Sequence, residues 1–111
     1  LSHIDFSGYA RSLMSLLFGS FNVNPRTISI KFDLEKVVLS VKTAIPLGLI
    51  ISEIVSNSLK YAFPNGKVGE IALKLRRIKG DNYLLNISDN GTGLPEKIGL
   101  ESSGSLGMHL I

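Results

Sequence analysis

Three short stretches of the chain carry residue types at spacings that could do chemistry. In IPLGLIISEIVSNSLKYAF, an otherwise apolar segment, Glu53, Asn57 and Lys60 fall at helical spacing, within roughly 60 degrees of one another at 100 degrees per residue. Burying a carboxylate and an amide without partners costs several kcal/mol, so this stripe must face something polar. On the helix alone, a solvated face with a Glu-to-Lys pair accounts for it equally well. The second stretch is Asp89-Asn90-Gly91-Thr92-Gly93, directly after LLNIS. Strand alternation puts Leu85, Ile87 and Asp89 on one side, so a carboxylate ends an apolar face where the chain enters a glycine turn. It can accept a hydrogen bond from an exocyclic amine such as that of adenine, and glycines let backbone approach a flat ring. Taken by itself, DNG reads first as an ordinary Asn-Gly turn with Asp as a turn former. The third is Gly104-Ser105-Leu106-Gly107 running into Met108-His109-Leu110-Ile111. Read as a helix start, it leaves free N–H groups at the positive end of the helix dipole, where phosphate binds. Other phosphate motifs fail. Gly99 and Gly104 have Walker spacing, but Ser105 stands where the Lys belongs, and no G-x-G-x-x-G follows a strand.

These stretches need elements to hold them. Phe6, Tyr9, Ala10, Leu13, Met14, Leu16, Leu17 and Phe21 recur at steps of three and four, which predicts an amphipathic helix with Ser2 or Asp5 as N-cap. After a break at Asn22 to Pro25, Ile28, Ile30 and Phe32 alternate as in a half-buried strand, and the β-branched run Val37 to Val41 is expected to pair beside it. Thr43 is the expected cap of the second helix, with Pro46 in its first turn and Pro64-Asn65-Gly66 as its stop. Glu70 to Ile78 and Tyr83 to Ser88 read as a β-hairpin. The expected fold is α+β: a two-layer sandwich with helices on one face of a mixed, mainly antiparallel sheet.

With 111 residues, 44% hydrophobic and 19% charged, residues 1–111 fit one domain with a packed core. The longest apolar stretch, Ala44 to Ile51, is too short to cross a bilayer, so no membrane insertion is expected. Twelve Lys+Arg against nine Asp+Glu give +3, spread thinly, which makes no case for nucleic acid. The absence of Cys excludes a disulfide framework, a thiolate nucleophile and a zinc-thiolate site.

In this order the three stretches resemble the ATP-binding domain shared by sensor histidine kinases, type II topoisomerases, heat-shock chaperones and mismatch-repair ATPases. EIVSNSLKYAF is similar to the family's N box, DNGTG to its first glycine box and GSLGM to its second, and the resemblance covers about Ala44 to Ile111. Among these, the sensor histidine kinases with compact lids are the nearest in pattern. The resemblance implies binding of ATP with Mg2+. Asn57 would coordinate magnesium through its amide oxygen, and Glu53 would be catalytic, polarising or orienting the attacking group. Lys60 and Tyr61 would lie beside phosphates and nucleotide, Asp89 would read the adenine amine, and Gly91 and Gly93 would shape the base pocket. Gly104, Ser105, Leu106 and Gly107 would hold phosphates through main-chain amides, with Leu94 to Ser103 as the lid.

The implied activity is that of a two-component histidine kinase, donating the γ-phosphate to a histidine on a separate dimerisation and phosphoacceptor domain, with a response regulator downstream. The implied setting is cytoplasmic, whether or not the parent protein is attached to a membrane. Two alternatives stay open: a serine kinase of the anti-sigma-factor type, and a nucleotide-sensing module without phosphoryl transfer. The family runs on beyond its second glycine box, so the chain reads as a fragment, truncated at Ile111 or with an incomplete sheet. Neither His3 nor His109 has the setting of a phosphoacceptor, His109 being expected on the helix after the phosphate loop.

Overall fold

The computed structural model describes residues 2–80 and 82–91, and the backbone path of residues 105–110. The elements run β1 (His3–Asp5), α1 (Phe6–Ser20), β2 (Ile28–Leu34), β3 (Val38–Ser40), α2 (Val41–Tyr61), β4 (Gly69–Lys79), β5 (Asn82–Asp89) and β6 (Ser105–Leu110). The main sheet has the order β2-β4-β5-β6. Its β2–β4 pair is parallel, while β4–β5 and β5–β6 are antiparallel. A parallel neighbour cannot be reached by a tight turn, and β3 with α2 supplies the crossover from β2 to β4. The expected mixed, mainly antiparallel sheet with helices on one face is what forms.

Alternation decides which face is covered. Ile71, Leu73 and Leu75 of β4 and Tyr83, Leu85 and Ile87 of β5 are buried, joined by Ile28 of β2. Against them lie Phe6, Ala10 and Met14 of α1 and a longer stripe of α2: Ala44, Leu47, Gly48, Ile51, Val55 and Ser58. The opposite face of the sheet carries Lys31, Asp33, Lys74 and Arg76, among which Arg76 pairs with Asp33. The hydrogen bond from the Arg76 guanidinium holds the Asp33 carboxyl below its ordinary range.

Helix starts follow side-chain chemistry. Asp5, rather than Ser2, caps α1: it accepts from the Ser7 hydroxyl at 2.7 Å and from the Gly8 amide, the Ser7 bond lowering its pKa most. For α2 the expected cap is wrong by one turn. Ser40 is the N-cap, its Oγ accepting from the Thr43 amide at 3.3 Å, so Thr43 is the capped residue. Pro46 therefore lies in the second turn of α2 rather than the first, and it has no N–H to offer the Lys42 carbonyl. Pro46 is exposed, so water can take that carbonyl. Ser40→Ala should lower stability by about 1 kcal/mol and the melting temperature by ~5 °C, readable by circular dichroism; no change would mean that Ser40 does not hold the start of α2.

The partner of the Val37 to Val41 run also differs from expectation. β3 does not lie beside β2 but pairs antiparallel with β1, His3 opposite Ser40 and Asp5 opposite Val38. Bonds from Phe6 N to the Val37 carbonyl and from Val41 N to the Ser2 carbonyl extend the pairing. The inner edge of β2 is taken by β4, and the Glu35 amide still donates to Leu75. After that the chain leaves the sheet, with Val37 and Leu39 buried and Val38 exposed.

A third correction concerns the second glycine stretch. Ser105–Leu110 is not the start of a helix but a strand, with Ser105 opposite Ser88 and Leu110 opposite Tyr83. His109 accordingly lies on β6. In the sequence, Leu106, Met108 and Leu110 alternate with Gly107 and His109, a strand period as good as the helical reading. The edge of β5 decides between them, because its backbone groups need a partner.

Candidate functional site

The polar stripe of α2 forms as its spacing demands. Glu53 and Lys60 are exposed and Asn57 is half-buried, on the side of α2 away from its core stripe. Tyr61, at the last position of the helix, is 55% exposed. β5 runs antiparallel to β4 with Asp89 opposite Ile71, so the inward alternation of Tyr83, Leu85 and Ile87 ends in a buried carboxylate, 8% exposed.

The link between α2 and Asp89 is Ser58. Its hydroxyl donates to Asp89 Oδ2 at 3.0 Å across 31 residues of chain. The Gly91 amide donates to Oδ1, also at 3.0 Å. Asp89 is thereby brought to the turn of α2 that carries Asn57. Sequence reasoning passed over Ser58. The available signal was its place at the end of the series Ala44, Leu47, Gly48, Ile51 and Val55, where a polar residue on a core stripe must have a partner.

A second set of contacts fixes the turn after β5. Asn90 Oδ1 accepts from the Glu70 amide at 2.7 Å and the Asn90 amide donates back to the Glu70 carbonyl at 3.2 Å. A Cβ on Gly91 would run into the Ala62 carbonyl just past α2, and one on Gly69 into the Phe63 ring. Gly91 is therefore required by close approach of the chain to itself: the end of α2 and the end of β5 lie against each other with no room for a side chain. The α2 helix stops there, with Asn65 at φ 58° and Gly66 at φ 74°.

Of the remaining expected site residues, Gly93, Gly104 and the stretch Leu94 to Ser103 lie outside the described residues. Ser105, Leu106 and Gly107 belong to β6, so the helix-dipole argument for phosphate binding there does not hold; an edge strand offers only the amides that the β5 ladder leaves over. At the far end of β5 from Asp89 is a cleft of about 290 Å³ lined by Glu35, Lys36, Val37, Val38, Arg77 and Tyr83. Its groups already answer one another, Glu35 Oε1 accepting from the Arg77 amide and the Arg77 guanidinium lying 5.8 Å from the Tyr83 ring centre.

The donor set on α2 suits a hard cation shared with phosphates. The side-chain oxygens on the stripe are the Asn57 amide and the Glu53 carboxylate, and among the described residues no three His, Cys, Asp or Glu gather into a metal cage. Magnesium is commonly held by one or two protein oxygens, with phosphate and water completing its octahedron. Asp89 offers acceptors only, which suits an amino group on a base.

Residues 42–106 match the family described as histidine kinase-, DNA gyrase B- and HSP90-like ATPase. Blue-light-activated histidine kinase 2 of Erythrobacter litoralis is 29% identical over 84 residues, covering 76% of this chain and 24% of that protein. Sensor histidine kinase PdtaS of Mycobacterium tuberculosis is 33% identical over 76 residues, 67% of this chain and 15% of its own length. The chain thus spans about a quarter or less of these relatives. The solved histidine kinase domain of the Erythrobacter litoralis EL346 blue-light-activated kinase superposes with a TM-score of 0.74 at 26% identity, over 84% of this chain and 42% of that one.

Proposed function

Since the chain belongs to the family of histidine kinase-, DNA gyrase B- and HSP90-like ATPases, we propose that it binds Mg-ATP and donates the γ-phosphate to a histidine on a separate dimerisation and phosphoacceptor domain, with a response regulator downstream. The observation that carries this reading is the bond from Ser58 to Asp89, which joins a base-reading carboxylate to the turn of α2 bearing Asn57. Asn57 would hold magnesium through its amide oxygen, and Glu53, one turn earlier, would orient the attacking imidazole. Lys60 and Tyr61 lie on the same exposed end of α2, where phosphates and nucleotide would pass. Asp89 would accept from the adenine amine, Gly91 and Gly93 shaping the pocket around the base. Gly104 and the spare amides of Ser105 to Gly107 enter as phosphate donors through the sequence alone. Magnesium, when bound, offsets charge on the phosphates. Phosphoryl transfer asks the protein mainly for positioning and charge neutralisation, which a small domain can supply.

Among the described residues no helix is long and apolar enough to cross a membrane. Calorimetry should show magnesium-dependent ATP binding with a dissociation constant of roughly tens of micromolar or weaker, since a lone site leaves much ordering to be done on binding. Mixed with an acceptor domain and labelled ATP, the chain should yield acid-labile phosphohistidine on the acceptor and no label on itself. A folded sample that binds nothing at millimolar Mg-ATP would remove the reading. Acid-stable label on a serine of the acceptor would replace it with a serine kinase of the anti-sigma-factor type.

A further inference from the structure

Asp89 meets a donor on each oxygen, and the two donors come from different elements. Gly91 belongs to the turn that follows β5 and is local to Asp89, whereas Ser58 reaches it from α2. A buried serine within a helix usually turns its hydroxyl back to the carbonyl one turn earlier. Ser58, 2% exposed, has one proton to give and gives it to Asp89 Oδ2. A carboxylate rotates in a broad well about its last torsion, and one local donor leaves that rotation open. A second donor on the other oxygen, held by a different element, fixes the plane. Two donors occupy about half of the four lone-pair positions of a carboxylate, so one acceptor position on each oxygen remains for a ligand.

We propose that Ser58 is a positioning residue for base selection: by donating to Asp89 Oδ2 it fixes the carboxylate so that its spare acceptor positions meet an exocyclic amine, and it ties that orientation to the turn of α2 bearing Asn57. The inference rests on the proposed nucleotide site. Its consequence is selective. Loss of the Ser58 hydroxyl frees the carboxylate to turn, which matters for a base that donates to it and little for one that does not. Inosine triphosphate carries a carbonyl where ATP carries the amine and is otherwise close to it in shape, so the ratio of the two affinities reports the orientation of Asp89.

The test measures Mg-ATP and Mg-inosine triphosphate binding by calorimetry for the native chain, Ser58→Ala, Asp89→Asn and the double variant. Alanine is smaller than serine and favours helix, so the fold should survive; Ser58→Cys, near in size with a weak S–H donor, is the second probe. The native chain should prefer ATP. Ser58→Ala should reduce that preference about tenfold, the scale of one hydrogen bond to a charged group, with Ser58→Cys between the two. In the Asp89→Asn background Ser58→Ala should change the preference no further, since it acts through Asp89. Equal weakening of both nucleotides by Ser58→Ala, or full additivity in the double variant, would each reduce Ser58 to a structural tie. If the native chain binds neither nucleotide, the site itself is misassigned and the inference falls with it.

Discussion

Asn57→Ala should remove the magnesium-dependent part of nucleotide binding, a loss of roughly ten- to hundredfold on the scale of one interaction with a charged group, while the melting temperature stays within a few degrees. Asn57 is half-buried on the polar side of α2, opposite the stripe that packs on the sheet. Truncating it opens no core cavity, and an exposed or half-exposed helix position takes alanine readily. Titrations with magnesium and with a chelator separate the two contributions. An affinity per folded molecule that is unchanged, together with a large drop in stability, would make the stripe structural and leave magnesium without its protein ligand.

The largest effect on stability should come from Leu73→Ala. Leu73 is fully buried in β4, the strand between β2 and β5, in register with Phe32 on one side and Ile87 on the other. Removing three carbons from such a site costs roughly 2–5 kcal/mol, the lost transfer energy plus the cavity left behind. A domain of this size has roughly 5–15 kcal/mol in total, so the variant should melt roughly 10–30 °C lower. Nucleotide binding should fall only in proportion to the fraction unfolded, because Leu73 reaches the site only through the ladder that sets Asp89 opposite Ile71. Urea unfolding measures the cost, and a loss below about 1 kcal/mol would mean that the sheet closes around the gap.

Much of this architecture is local in origin. The three-and-four spacing from Phe6 onward becomes α1, the Pro64-Asn65-Gly66 sequence ends α2, and the alternation from Tyr83 to Asp89 becomes β5 with its carboxylate turned inward. Each of these depends on residues a few positions apart, so the period alone is enough. The stripe of Glu53, Asn57 and Lys60 is legible for the same reason. Ser40 and Thr43 are both good caps in isolation, so the cap of α2 is not decided locally. Ser40 takes the role where β3, paired to β1, ends and the chain turns into the helix.

Legible along the chain, therefore, are the two helices, the strands from β2 to β5, the polar stripe and the place of Asp89 at the end of an apolar face, whereas β1 and β6 are not. Which edges meet is set by contacts between distant parts of the chain. β3 joined β1 rather than β2, and Ser105–Leu110 was drawn into the sheet as β6 rather than starting a helix. Strand pairing is settled by backbone groups far apart in the chain, and a short apolar run with glycines fits either period until an unpaired edge is beside it. Ser58 belongs with these. Its partner lies 31 residues away; the apolar series before it marks Ser58 as facing the core, but nothing along the helix says which group it meets, because that contact exists only once α2 lies against β5.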